Sequence, residues 1–217
     1  MTRFETTTCY HCDAEGAGRE HVPPRCLFPK GRDWTDLMTV PSCVAHNNGT
    51  SRADDYLKFL LGAIATSVPT EITSSAARSA VRMALRRSRD LRRHSLRWDG
   101  EVLAILDGFP LDFPLLRASL EKIARALYFH YHQGRRKLLG EVYACPLFIP
   151  IDPAKAPELA SHVRVVQAAA ASDFEQLPRL GLHQDIFAYQ VKETDETVII
   201  NMEFYGRYRA AALVRMT

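Results

Sequence analysis

No stretch of this chain stays apolar for the roughly 18 residues that a helix needs to cross a bilayer. The opening MTRFETTTCY also has no apolar core of the kind that a secretory signal carries. The sequence therefore predicts no membrane partner and a cytoplasmic location, where disulfides are rare. Strong charge of either sign is missing too: 28 basic side chains against 25 acidic ones leave a formal net charge of +3. Any affinity for nucleic acid must then come from a local patch and not from bulk charge. There is no internal repeat, no low-complexity tract, no glycine-rich phosphate loop and no nucleophile elbow. These absences argue against solenoids, phosphate-loop enzymes and the α/β-hydrolases. Cysteine is scarce and odd in number, five in all, which fits metal ligands plus leftovers better than a disulfide framework.

What remains is an ordinary globular composition, 47% apolar and 24% charged over 217 residues. That length suits one large domain, or a small module followed by a larger body.

The distinctive residues lie between Cys9 and Asn48. Cys9 and Cys12 form a C-x-x-C pair, the spacing with which one tight turn offers two thiolates to one metal. Cys43 and His46 repeat that spacing further along, and two such pairs match tetrahedral zinc. Cys26 lies outside both pairs and reads as a small core residue. Either Cys26 or His11 could nevertheless replace His46 as the fourth ligand. Between the pairs, residues 19–22 read as a strand stopped by Pro23-Pro24, and residues 37–40 as a second strand running into Pro41. A turn follows at 47–50, then a helix from about Asp54. Two strands, a ligand pair and a helix make a ββα module that zinc would hold, since about forty residues bury too little core alone.

The pattern C-x-x-C, then Glu20-His21-Val22 with Pro24, then Cys43-x-x-His46-Asn47 resembles the zinc-stapled HNH (ββα-metal) endonucleases over about residues 9–61. The resemblance implies His21 as general base, with Glu20 and Asn47 as ligands of a catalytic Mg²⁺ or Mn²⁺. It implies structural Zn²⁺ on Cys9, Cys12, Cys43 and His46. Glu20 stands where the family usually has Asp, and His46 where it has a fourth cysteine. Asp36 is the approximate counterpart of the family's middle Asn. Asn48 is a second candidate for the cation or for orienting the base.

Elementary chemistry agrees with these roles. Phosphodiester hydrolysis needs a water deprotonated near neutral pH, and histidine titrates there. A carboxylate and an amide oxygen suit a hard divalent cation, whereas thiolates suit zinc. Outside such a setting, an E-H dipeptide reads as a solvated acid beside a histidine that closes a strand.

Downstream, eight arginines fall within residues 74–97. A helix is expected over about Ser74 to Arg97, on which Arg78, Arg82, Arg86, Arg89, Arg93 and Arg97 form one continuous stripe that could track a phosphate backbone. Asp99-Gly100 reads as a turn. A helix is expected from Pro114, closed by Gly134, with its aromatic and histidine residues at 128–132 explained by packing. Strands are expected near 142–150, 186–191, 197–205 and 208–214, and a helix over 157–171 in which HVRVV could instead be a strand. The whole is an α+β protein: a nuclease-like module at 1–67 and a mixed helical and antiparallel-sheet region at 68–217.

The expected function is a metal-dependent endonuclease acting on nucleic acid, DNA before RNA, in defence or on a mobile element. The rival expectation is a non-catalytic zinc module that binds nucleic acid or a protein partner. A C-terminal body that senses a ligand or partner is compatible with both. The oligomeric state stays open, a homodimer included.

Overall fold

The structure, a computed structural model, describes residues 4, 6–29, 34–49, 51–64, 96–98, 103–105, 111–149, 151–154 and 156–216. It is a mixed helical and antiparallel-sheet protein. Strands β1 (Gly18–His21) and β2 (Thr39–Ser42) pair antiparallel, with Glu20 opposite Val40 and His21 opposite Thr39. After His21 the chain leaves the ladder at Pro23-Pro24, which cannot donate to it, and makes one tight turn over Arg25–Leu27. Helix α1 (Val44–Asn48) follows β2 directly, and α2 (Ser51–Ile64) follows α1. β1 lies one residue earlier than expected, and β2 starts two residues later and runs through Pro41, which sits opposite Arg19. α2 begins three residues before Asp54.

Strands β3 (Leu96–Trp98) and β4 (Leu103–Ile105) form a short antiparallel hairpin. This corrects the expectation for Arg97, which pairs with Ala104 on a strand instead of ending a helical stripe. The Leu96-Arg97-Trp98 segment has the apolar–polar–apolar alternation of a strand, and this overrides helix propensity. Arg78, Arg82, Arg86, Arg89 and Arg93 lie outside the described residues.

Helix α3 (Phe113–Tyr131) starts where the Asp112 carboxylate accepts the Leu115 N–H at 3.2 Å. It stops at Gly134, whose φ of +85° a side chain would resist. Leu116, Leu120, Ile123 and Leu127 are buried, but so are Ala124, Ala126, Tyr128 and Phe129. A helix buried almost all round is a central one.

The main sheet has strand order β5-β8-β7-β6, all antiparallel, from β5 (Val142–Pro146), β6 (Phe187–Glu193), β7 (Thr197–Phe204) and β8 (Tyr208–Arg215). Its residues sort by the period of two. Val142, Ala144, Val198, Ile200, Met202, Ala210, Ala212 and Val214 face the cluster that holds α3. Cys145 and Ala211 face a second cluster, formed with Val163, Val166 and Ala170 of α4 (Pro157–Ala170). The HVRVV segment is therefore helix throughout; its valines at 163 and 166 are three apart and share one buried face. A short α5 (Asp173–Gln176) completes that layer, its Asp173 paired with Lys192 of β6.

One hydrophobic cluster runs from Cys9, Val22, Val40 and Leu57 through α3 to Phe204 and Val214. Tyr205 donates its hydroxyl to the Leu27 carbonyl at 2.8 Å, and the Asp112 N–H donates to Tyr56 Oη at 2.7 Å. The small N-terminal hairpin thus obtains from α3 and the sheet the apolar cover that it cannot make for itself.

Candidate metal centre and acid–histidine pair

Cys9 and Cys12 are brought round by a tight turn in which the Cys9 N–H donates to the Ala14 carbonyl and the Gly16 N–H to the Thr7 carbonyl. Cys43 sits at the start of α1, and His46 lies one helical turn on. The four donor atoms of Cys9, Cys12, Cys43 and His46 all lie within 4.8 Å of one another. Zn–S bonds of about 2.3 Å and Zn–N bonds of about 2.0–2.1 Å, at tetrahedral angles, put sulfurs about 3.8 Å apart and sulfur and nitrogen about 3.6 Å apart. Here Cys12 Sγ and Cys43 Sγ are 3.9 Å apart, and His46 Nδ1 is 3.6, 3.5 and 3.2 Å from the sulfurs of Cys9, Cys12 and Cys43. These four residues could hold a structural metal such as zinc.

The surroundings favour the thiolate at Cys43, whereas the Cys12 thiol is raised. The His11 N–H donates to Cys9 Sγ at 3.5 Å. A hydrogen bond from the His46 backbone N–H draws the Cys43 thiol down to about 6. Lys137 Nζ donates to the Cys12 carbonyl at 2.8 Å and to Asp13 Oδ1 at 3.1 Å, tying the first pair to the body. His11 stacks on His46, ring centroids 3.9 Å apart, and is not among the four ligands. Cys26 is outside the group as well; its Sγ faces the Asp54 carbonyl at 3.8 Å, and burial raises its thiol to about 12.

Glu20 and His21 occupy the end of β1, on opposite faces by the alternation of a strand. His21 is half-buried. Burial first, then Arg25 and Arg19, holds its imidazole below the usual 6.5, so the ring is neutral at pH 7. Glu20 is not a solvated acid. It is 8% exposed, and Lys122 Nζ, on α3, donates to its Oε1 at 3.2 Å. The same ammonium contacts Asp54 Oδ2 on α2, and Ser119 Oγ donates to Asp54 Oδ1 at 3.0 Å. Burial raises the pKa of both acids against the opposing pull of Lys122. Asn47, next after His46, has its Nδ2 3.1 Å from where a Cβ on Gly18 would sit. Gly18 and Glu20 share a face of β1, so Asn47 covers the face that Glu20 uses. Asp36, in the segment before β2, is exposed.

Lys122, Asp54 and Ser119 were not singled out from the sequence. The available signal was Ser119 and Lys122, three apart and aligned with the apolar Leu116 on the helix. A lysine there must be paired if it is buried, but its partners are far away in the chain.

The chain matches no protein-family model, and no curated protein or solved structure is significantly similar to it. Among the described residues no helix is long and apolar enough to cross a membrane.

Proposed function

We propose that this protein is a metal-dependent endonuclease of the HNH type, with structural zinc on Cys9, Cys12, Cys43 and His46. The observation that carries the reading is the register of three side chains with the metal cluster. Glu20 and His21 end the strand that follows the first ligand pair, and Asn47 follows the last ligand. Zinc would fasten the turn at Cys9 to the start of α1, and so fix Asn47 against β1.

The donors fit a second, hard cation. Glu20 offers a carboxylate and Asn47 an amide oxygen, the ligand types that Mg²⁺ or Mn²⁺ prefers. Glu20 and Asp54 share one ammonium, so their full ionisation leaves a buried surplus of one negative charge. Bound there, such a cation supplies charge to offset the phosphorane-like transition state and the leaving oxygen. His21 takes the proton of the attacking water as its neutral imidazole. Arg19 and Arg25, both exposed and both close enough to act on His21, attract the phosphate backbone. DNA is the first substrate to try. The assay is cleavage of supercoiled plasmid, which EDTA should abolish and Mg²⁺ or Mn²⁺ restore. A protein loaded with zinc that leaves plasmid intact with either cation would end this reading.

The pairing of Glu20 with Lys122 favours one alternative, a non-catalytic zinc module in which Glu20 joins β1 to α3. In that protein Glu20→Gln alters stability, and no nucleic acid is cut.

A further inference from the structure

We infer that the cleft beside β1 binds a nucleoside monophosphate, as a free molecule or as one unit of a single strand. The cleft has a volume of about 700 Å³, within the range of small-molecule sites. It is lined by Arg19, the segment Thr35 to Thr39, His130, the segment Leu180 to His183, and Tyr189.

Its chemistry has three parts. The first is a fixed cation. Arg19 Nε donates to Thr39 Oγ1 at 2.7 Å and Nη2 to the Thr39 carbonyl at 3.5 Å, which orients the guanidinium. Among the described residues Nη1 is left free, and no carboxylate pairs with the group. A planar guanidinium with free N–H groups is suited to phosphate. His130, whose ring has no hydrogen-bond partner among the described residues, also lines the cleft and makes a T-shaped contact with Phe4, the ring that the Arg19 guanidinium lies over. The second part is apolar: Leu37, Met38, Leu180 and Tyr189 offer a lining for a flat ring. The third is Asp36, an exposed acceptor for an exocyclic amine or a ribose hydroxyl. Cation, flat apolar lining and acceptor in one cleft match the three parts of a nucleotide.

The Leu180 to Tyr189 part of the lining is held in place. Leu180 and Tyr189 exchange backbone hydrogen bonds of 2.8 and 3.0 Å. Gly181 has a φ of +119°, and a Cβ there would meet the Phe187 carbonyl oxygen at 2.9 Å. His183 makes a T-shaped contact with Trp34, centroids 4.9 Å apart, and its buried Nε2 has no hydrogen-bond partner among the described residues.

Isothermal titration of the zinc-loaded full chain with AMP, GMP, CMP and UMP tests this directly. At least one should bind saturably, and Arg19→Met should weaken it tenfold or more. Thr39→Val, which frees the guanidinium, should weaken it less, and Arg117→Met, at a remote exposed arginine, should change nothing. Asp36→Asn should weaken the nucleotide but leave inorganic phosphate binding as it was. Displacement of the mononucleotide by a single-stranded oligonucleotide identifies the source as a strand; failure to displace identifies a free nucleotide. No saturable binding to millimolar concentration, or binding that Arg19→Met leaves intact, overturns the site. Because the readout is binding, failure of the hydrolytic reading would leave this result standing, and the reverse holds too.

Discussion

Lys122 Nζ lies 3.2 Å from Glu20 Oε1, across the seam between the central helix and the N-terminal hairpin. Lys122 is 4% exposed, and with Asp54 the pair becomes a triad of two acids and one base. Buried charges of this kind hold elements in register, because a misplaced α3 would leave all three unpaired.

Removing the cation should therefore be expensive. Lys122→Met should destabilise the protein by about 3–5 kcal/mol, since it leaves two carboxylates buried without their partner. Urea unfolding measures this. Adding Glu20→Gln and Asp54→Asn to the same protein should recover most of the loss, because the amides need no counter-charge. A loss below about 1 kcal/mol, the value of an exposed pair, would mean that the triad is not buried in solution.

Metal content separates the ligands from their neighbours. Cys12→Ser and Cys43→Ser should each lose the tightly held zinc and, with it, a large part of a binding free energy on the order of 10 kcal/mol. Cys26→Ser should keep the metal in full. Elemental analysis of the purified variants decides this. If His46→Ala retains zinc, the fourth ligand is not His46, and His11, whose ring lies against it, is next in line.

Thiol reactivity gives an independent count. Burial raises Cys26 and Cys145 to about 12. At pH 8 only about one in ten thousand of such thiols is ionised, and the thiolate is the reactive form. The metal-loaded native protein should therefore react slowly at every cysteine. Chelation should release three fast thiols, those of Cys9, Cys12 and Cys43, and raising the pH toward 12 should bring in the other two. Five fast thiols on chelation at pH 8 would mean that the fold opens when the metal leaves.

Much of this arrangement could be read in the chain, because it is local. The two ligand pairs, the strand ended by Pro23-Pro24 and the helix closed by Gly134 each depend on residues close in sequence. The sheet strands β6, β7 and β8 declared themselves by their strand-like patterning. The Lys122–Glu20 pair did not, since its two residues are far apart in sequence and only packing brings them together. Arg97 misled for a different reason: its spacing from Arg93 continues a helical stripe, while its immediate neighbours favour a strand. The cleft at Arg19 was hidden for the same reason as the triad, being built from four separate segments.

The central claim is that His21 activates water beside a divalent cation. Its most direct test is the rate of plasmid cleavage, with Mg²⁺ or Mn²⁺, by the parent protein and by His21→Ala at equal zinc content. His21 lies outside the zinc cluster, so the variant should fold and hold zinc as the parent does. The rate should fall by roughly 10²–10⁴-fold, the usual contribution of a general base. A His21→Ala protein that cleaves as fast as the parent would contradict the assignment.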